Sequence, residues 1–155
     1  MHRLPRIKVE QIMTKKVVTV NEDDSLEELA EKFREHNFHG FPVIDKEGKL
    51  TGIVTEKDFL KIFRSEHLQS LFASQIKDIM VSPVVTITPE YSLGEVLDVM
   101  FEHALRLLPV FHEEKLVGII TQRDIVTRLL APEPEEKPQS SIFASLAKKM
   151  PFRKK

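Results

Sequence analysis

Gly52-Ile53-Val54-Thr55-Glu56-Lys57-Asp58 returns later in the chain as Gly118-Ile119-Ile120-Thr121-Gln122-Arg123-Asp124. Each copy reads as an apolar strand turning sharply into a helix. The glycine allows close approach of another backbone. The threonine hydroxyl suits a helix cap, and the aspartate three residues on falls in the first turn. Taken singly, the residues leave two readings open. In one, the Thr-x-x-Asp pair only starts a helix. In the other, the carboxylate accepts hydrogen bonds from both hydroxyls of a ribose, as carboxylates do in dinucleotide folds. The helix N-terminus and the side chain of Lys57 or Arg123 then face a phosphate.

The duplication extends well beyond this turn. Ile12-Met13-Thr14-Lys15-Lys16-Val17-Val18-Thr19-Val20 matches Ile79-Met80-Val81-Ser82-Pro83-Val84-Val85-Thr86-Ile87. Ser25-Leu26 matches Ser92-Leu93, Glu35-His36 matches Glu102-His103, and Pro42-Val43 matches Pro109-Val110. Ordered identity of this kind marks an internal repeat. Neither copy buries its apolar surface readily alone, so the two should pack together.

Both copies have the same local pattern. A β-branched run, Val17–Val20 or Val84–Ile87, suggests a strand. Asp24 or Ser25 precedes apolar positions at helical spacing, Leu26, Leu29, Ala30 and Phe33; Ser92 precedes Leu93, Val96, Leu97 and Met100. Gly94 conflicts mildly with that second helix. Strands are expected at Phe41–Ile44 and Leu108–Phe111, each with a proline that favours a strand start or an edge. Asp45-Lys46-Glu47-Gly48 reads as a hairpin turn, and His112-Glu113-Glu114 as its shorter counterpart. Third strands follow at Leu50–Val54 and Leu116–Ile120, then helices from near Glu56 and Gln122.

Composition excludes several chemistries. The chain has 155 residues, 41% hydrophobic and 30% charged, with 23 Lys+Arg against 24 Asp+Glu and a net charge of -1. This balance gives no global attraction to nucleic acid or an anionic membrane. There is no cysteine, which removes disulfides, thiolate catalysis and cysteine-ligated metals. No apolar run approaches a transmembrane length, and the opening MHRLPRIKVE lacks the apolar core of a secretory signal. The expected location is cytoplasmic. No P-loop and no G-x-S-x-G nucleophile elbow is present, so no catalytic residue is assigned and the chain is not expected to be an enzyme. The histidines His2, His36, His39, His67, His103 and His112 form no metal-ligand motif. No metal site is assigned, and His36 and His103 suit a shared structural role at helix ends.

The ordered set I-M-T, V-V-T-V, the P-V strand and G-I-V-T-x-x-D, with its second copy, resembles the CBS domain family. The pair resembles a stand-alone Bateman module over about Val9–Leu130. The resemblance implies an α/β (α+β) fold, each repeat β-α-β-β-α, packed about a pseudo-two-fold axis with two clefts. It sets domain 1 at 9–64, an inter-repeat linker or helix at 65–75 and domain 2 at 76–131. A Pro/Glu linker at 132–139 and an amphipathic basic segment at 140–155 follow. Many family members bind adenine nucleotides or S-adenosylmethionine. Carried onto this chain, Thr55 with Asp58 and Thr121 with Asp124 would hold ribose. Adenine would lie near Val17, Val18 and Phe41, and near Val84, Val85 and Leu108. Phosphate would meet His39, Lys57, Arg106 or Arg123, and the Arg106/Arg123 set is better supplied for charge. The implied ligand is AMP, ADP or ATP, with S-adenosylmethionine or NAD as further candidates and no obligatory cofactor. The implied partners are a second copy in a homodimer and a separate effector protein, with nucleic acid not favoured. The alternative is a structural or protein-interaction module whose clefts bind no nucleotide. The tail residues Phe143, Leu146, Ala147 and Met150 suit packing on the module or its dimer mate.

Overall fold

The computed structural model describes residues 6–64 and 74–130. In chain order they form α1 (Val9–Ile12), β1 (Val20–Asn21), α2 (Leu26–Glu35), β2 (Gly40–Ile44), β3 (Leu50–Thr55), α3 (Glu56–Lys61), α4 (Leu93–Glu102), β4 (Leu107–His112), β5 (Lys115–Thr121) and α5 (Gln122–Leu130). Single 3₁₀ turns lie at Ile62–Arg64 and Ile76–Asp78. The chain divides into two compact units: Lys16–Val85, and Met1–Lys15 together with Thr86–Lys155. Most of the expected inter-repeat segment, and the whole of the Pro/Glu linker and C-terminal segment, fall among 65–73 and 131–155, outside the described residues. No helix among the described residues is long and apolar enough to cross a membrane.

The unit Lys16–Val85 holds a three-stranded sheet in the order β1-β2-β3. β1 runs parallel to β2, with Val20 opposite Val43, and β2 runs antiparallel to β3, from Gly40 opposite Thr55 to Ile44 opposite Leu50. The expected strand at Val17–Val20 narrows to Val20–Asn21, while Val18 packs against the core from outside the sheet. Ser25, not Asp24, caps α2. Its hydroxyl accepts from the Glu28 N–H at 3.1 Å and the Glu28 carboxylate accepts from the Ser25 N–H at 2.8 Å. This reciprocal box satisfies two amides that a helix start otherwise leaves unpaired. Leu26 and Leu29 then point into a core with Val20, Phe41, Val43, Val54, Ile62 and Ile76. The β2–β3 turn forms as its sequence suggests. Asp45 Oδ1 accepts from the amides of Glu47 and Lys49, both at 2.9 Å, and Gly48 takes a φ of 81°.

The other unit repeats this plan. Ser92 and Glu95 form the same box at the start of α4, whose Leu93, Val96 and Met100 are buried. That box and burial hold Gly94 in the first turn despite its low helix propensity. β4 and β5 pair antiparallel from Leu107 opposite Thr121 to His112 opposite Lys115. Ile87 bridges Val110 in parallel, in the place β1 holds in the first unit. Each unit therefore follows β-α-β-β-α.

Pro42 lies in the central strand β2, and Pro109 lies in β4, whose outer side carries the single bridge to Ile87. The Pro109 carbonyl accepts from the Ile87 N–H at 3.1 Å, and the Phe111 N–H donates to the Ile87 carbonyl at 2.8 Å. The amide that Pro109 lacks falls ahead of the first of these bonds, so the ladder loses none.

The head of each repeat packs in the unit built by the other repeat. Val81 exchanges two backbone hydrogen bonds with Ile53, at 2.8 and 3.1 Å, and the Ile76 N–H donates to the Asp24 carbonyl at 2.9 Å. Likewise Thr14 exchanges two bonds with Ile119, at 2.8 and 2.9 Å, and the Leu93 N–H donates to the Ile7 carbonyl at 2.9 Å. The repeated glycines receive these incoming heads. A Cβ at Gly52 would lie 2.5 Å from Met80 Sδ, and one at Gly118 would lie 2.6 Å from Met13 Sδ.

Candidate functional site

In the unit Lys16–Val85, β3 delivers Thr55 to the N-cap of α3. The Thr55 N–H and hydroxyl both donate to Asp58 Oδ2, at 2.9 and 3.0 Å, and the Asp58 N–H reaches back to Thr55 Oγ1 at 3.4 Å. Asp58 is the buried charged residue of this chain's described part, 6% exposed. Its second oxygen, Oδ1, lies 3.8 Å from Lys61 Nζ. The His39 carbonyl accepts from the Glu56 N–H at 2.9 Å, which fixes His39 beside the helix start. The His39 imidazole Nδ1 is 3.7 Å from Glu56 Oε1.

The other unit builds the same turn with different surroundings. The Thr121 N–H donates to Asp124 Oδ2 at 2.9 Å, and the Asp124 N–H donates to Thr121 Oγ1 at 3.0 Å. The Arg106 carbonyl accepts from the Gln122 N–H at 2.9 Å, so Arg106 takes the place of His39. The side chains of Arg106 and Arg123 are exposed, and Asp124 is half-buried.

The cap reading of Thr-x-x-Asp is thus realised in both copies. It does not exhaust the carboxylates. An ionised carboxylate offers about four acceptor positions, and the Asp124 cap takes one hydrogen bond at Oδ2. Its Oδ1 has no hydrogen-bond partner among the described residues.

The remaining candidates are placed as follows. Lys57, like His39, is exposed beside its helix start. Val17, Val18, Val84 and Val85 are half-buried, and all four belong to the unit Lys16–Val85. Leu108 belongs to the other unit with Arg106, Thr121, Arg123 and Asp124. The side chains of Phe41 and Leu108 are fully buried. Sequence reasoning passed over Phe38, whose exposed ring stacks on His36 at 5.1 Å, next in the chain to His39. It lies between a helix end and a strand, where no periodicity singles it out.

His36 and His103 terminate α2 and α4, their amides donating to the carbonyls of Lys32 and Val99. Among the described residues no three His, Cys, Asp or Glu side chains group to hold a metal ion.

Two like-built β-α-β-β-α units with exchanged heads define a tandem-repeat α/β module. The chain belongs to the CBS domain family, whose profile matches residues 9–65 and 76–131. The chain is 30% identical over 141 residues to an inosine-5'-monophosphate dehydrogenase of Methanocaldococcus jannaschii, covering 90% of this chain but only 27% of that relative's length. Among solved structures it resembles the CBS domain pair of protein MJ0100 in complex with 5'-methylthioadenosine and S-adenosyl-L-methionine. There the TM-score is 0.71 and the identity 29%, over 80% of this chain and 96% of that one. It also resembles CBSX2 in complex with AMP, with a TM-score of 0.69 and 27% identity, over 79% of this chain and 96% of that one.

Proposed function

We propose that this CBS pair is a regulatory module that binds an adenosine-type ligand, AMP, ADP or ATP, and passes its state to a separate effector protein. The observation that carries the reading is the Asp124 carboxylate. It caps α5 through one oxygen while its other oxygen has no hydrogen-bond partner among the described residues, and Arg106 and Arg123 flank the same helix start. A carboxylate so arranged suits a ribose diol, and two guanidinium groups suit a phosphate. The complexes of MJ0100 and CBSX2 with adenosyl compounds support the class of ligand. In this reading the protein works in the cytoplasm as a homodimer, and ligand occupancy shifts the population of its conformations by differential affinity. Ribose is held by Thr121 with Asp124, and Thr55 with Asp58 forms the corresponding turn of the second half-site.

A second reading draws on the caps themselves. Both Thr-x-x-Asp pairs are satisfied as helix starts, which suits a protein-interaction module that binds no nucleotide, and S-adenosylmethionine remains a ligand for a sensor of the same class. Calorimetric titration with AMP, ATP, NADH and S-adenosylmethionine decides among them. The expected result is micromolar binding of AMP or ATP to the wild type, lost in D124A and weakened in D124N. In D124N an amide oxygen still accepts the cap bond while the charge is gone. Silence across all four ligands overturns the nucleotide reading, and preference for S-adenosylmethionine over both nucleotides redirects it.

A further inference from the structure

We infer that the residue three positions after each aspartate decides which of the two carboxylates is open to a ligand diol. Lys61 closes Asp58, and Thr127 leaves Asp124 open. The inference rests on the adenosyl-binding reading above and assigns unequal roles to its two half-sites from a feature that reading does not use. In the repeat Lys61 and Thr127 are equivalent. Lys61 Nζ stands 3.8 Å from Asp58 Oδ1, while Asp58 Oδ2 takes both the amide and the hydroxyl of Thr55. Both oxygens therefore already face protein donors, and the carboxylate is buried. A ligand diol would have to displace the ammonium from Oδ1 or the hydroxyl from Oδ2.

At the second copy neither competitor is in place. The Thr127 hydroxyl donates back along its own helix, 2.8 Å from the Arg123 carbonyl and 3.2 Å from that of Asp124. It turns to the backbone, as hydroxyls in helices do. The Thr121 hydroxyl accepts from the Asp124 amide, and no donation from it to the carboxylate is formed. Asp124 Oδ1 is left for an outside donor, and Asp124 is more exposed than Asp58. The charges on the flanking strand residues run the same way, with Arg106 in place of His39. The unit with the open carboxylate carries a guanidinium at this position, where the other carries an imidazole.

The exchange of the two residues tests this. AMP and 2',3'-dideoxy-AMP, which lacks the diol, are titrated calorimetrically into wild type, K61T, T127K and D58A. Both substitutions fall at exposed positions, and thermal melts confirm that the variants fold. The wild type is expected to show one AMP site, indifferent to D58A. T127K should weaken it about tenfold, the scale of a hydrogen bond to a charged group. K61T should add a second site or tighten a weak one at least about threefold on the same scale, and dideoxy-AMP should show neither effect. If AMP binds but T127K changes nothing, or K61T weakens AMP because the ammonium was holding phosphate, the inference is overturned and the adenosyl reading stands. If no variant binds AMP, adenosyl binding itself fails and takes this inference with it.

Discussion

A Cβ on Gly118 would fall 2.6 Å from Met13 Sδ and 3.1 Å from the Thr14 carbonyl. The thioether can move, but the carbonyl is held by its bond from the Ile119 amide at 2.9 Å. G118A is therefore expected to destabilise its unit by about 1–3 kcal/mol through overpacking, with only partial rescue by M13A, read as urea midpoints. Asp58 separates two roles in a similar way. D58A removes the cap acceptor and is expected to cost about 1–2 kcal/mol, whereas D58N retains an acceptor for the Thr55 amide and should cost less in the same unfolding experiment. Equal losses in the two variants would show that charge, rather than capping, holds this turn. The caps were legible in the sequence because donor and acceptor lie three residues apart. The need for glycine was legible too, but its neighbour was not: Met13 is more than a hundred positions from Gly118, and nothing local to GIIT names it.

At the level of elements, the β4–β5 turn carries avoidable strain. Glu113 and Glu114 take φ of 49° and 62°, and the pairing of His112 with Lys115 leaves these two residues as the loop. Two positive φ values in a two-residue hairpin favour Asn-Gly, and glutamate in that region is disfavoured. The double substitution E113N/E114G is expected to stabilise the protein by about 1 kcal/mol and raise Tm by roughly 2–4 °C for a chain this size; an unchanged or lower Tm would refute it. The 3.0 Å pair of Lys77 with Asp23 ties the Ile76–Asp78 turn to the loop after β1. The hydrogen bond from Lys77 holds the Asp23 carboxyl below its ordinary value of 3.8, and Asp23 raises Lys77 above 10.5. The Asp23 contribution is thus present above pH 3.8 and lost as pH falls through the depressed value. The Lys77 contribution is present below pH 10.5 and lost as pH rises through the raised one. Both groups are exposed, so the effect is small, and K77M should flatten both limbs of the stability–pH curve. The Val17–Val20 run illustrates why strand limits were less legible than caps. A β-branched run reports suitability for a sheet, but the strand exists only where a neighbour offers bonds, and β2 offers them at Val43 and Ile44.

For the molecule as a whole, the repeat and the order of elements could be read from self-similarity, while the exchange of heads could not. IMTKKVV and IMVSPVV are near copies, and either would satisfy the local pattern of either unit. Their placement depends on contacts distant in sequence. The exchange has a measurable consequence for fragments. A piece cut at the repeat boundary, 1–75, lacks fully buried Ile76 and the Val81 pairing to β3. Residues 16–85 retain both. Circular dichroism in urea should show cooperative unfolding for 16–85 and none for 1–75; the reverse would mean that the repeat is the folding unit. Deleting residues 1–15 should likewise lower the stability of the unit that contains β5, since it removes the partner of Ile119.

The same exchange sets an order of events during synthesis. Lys16–Val85 has all its own parts once Val85 has left the ribosome. Thr14, made before any of them, pairs with Ile119, 105 positions further on (119 − 14). At a translation rate of about 5–20 residues per second, the N-terminal segment waits roughly 5–20 seconds for its partner. A segment made before Lys16–Val85 is thus seated after it. Until then Thr14 lacks its partner, and a complete unit separates the two along the chain.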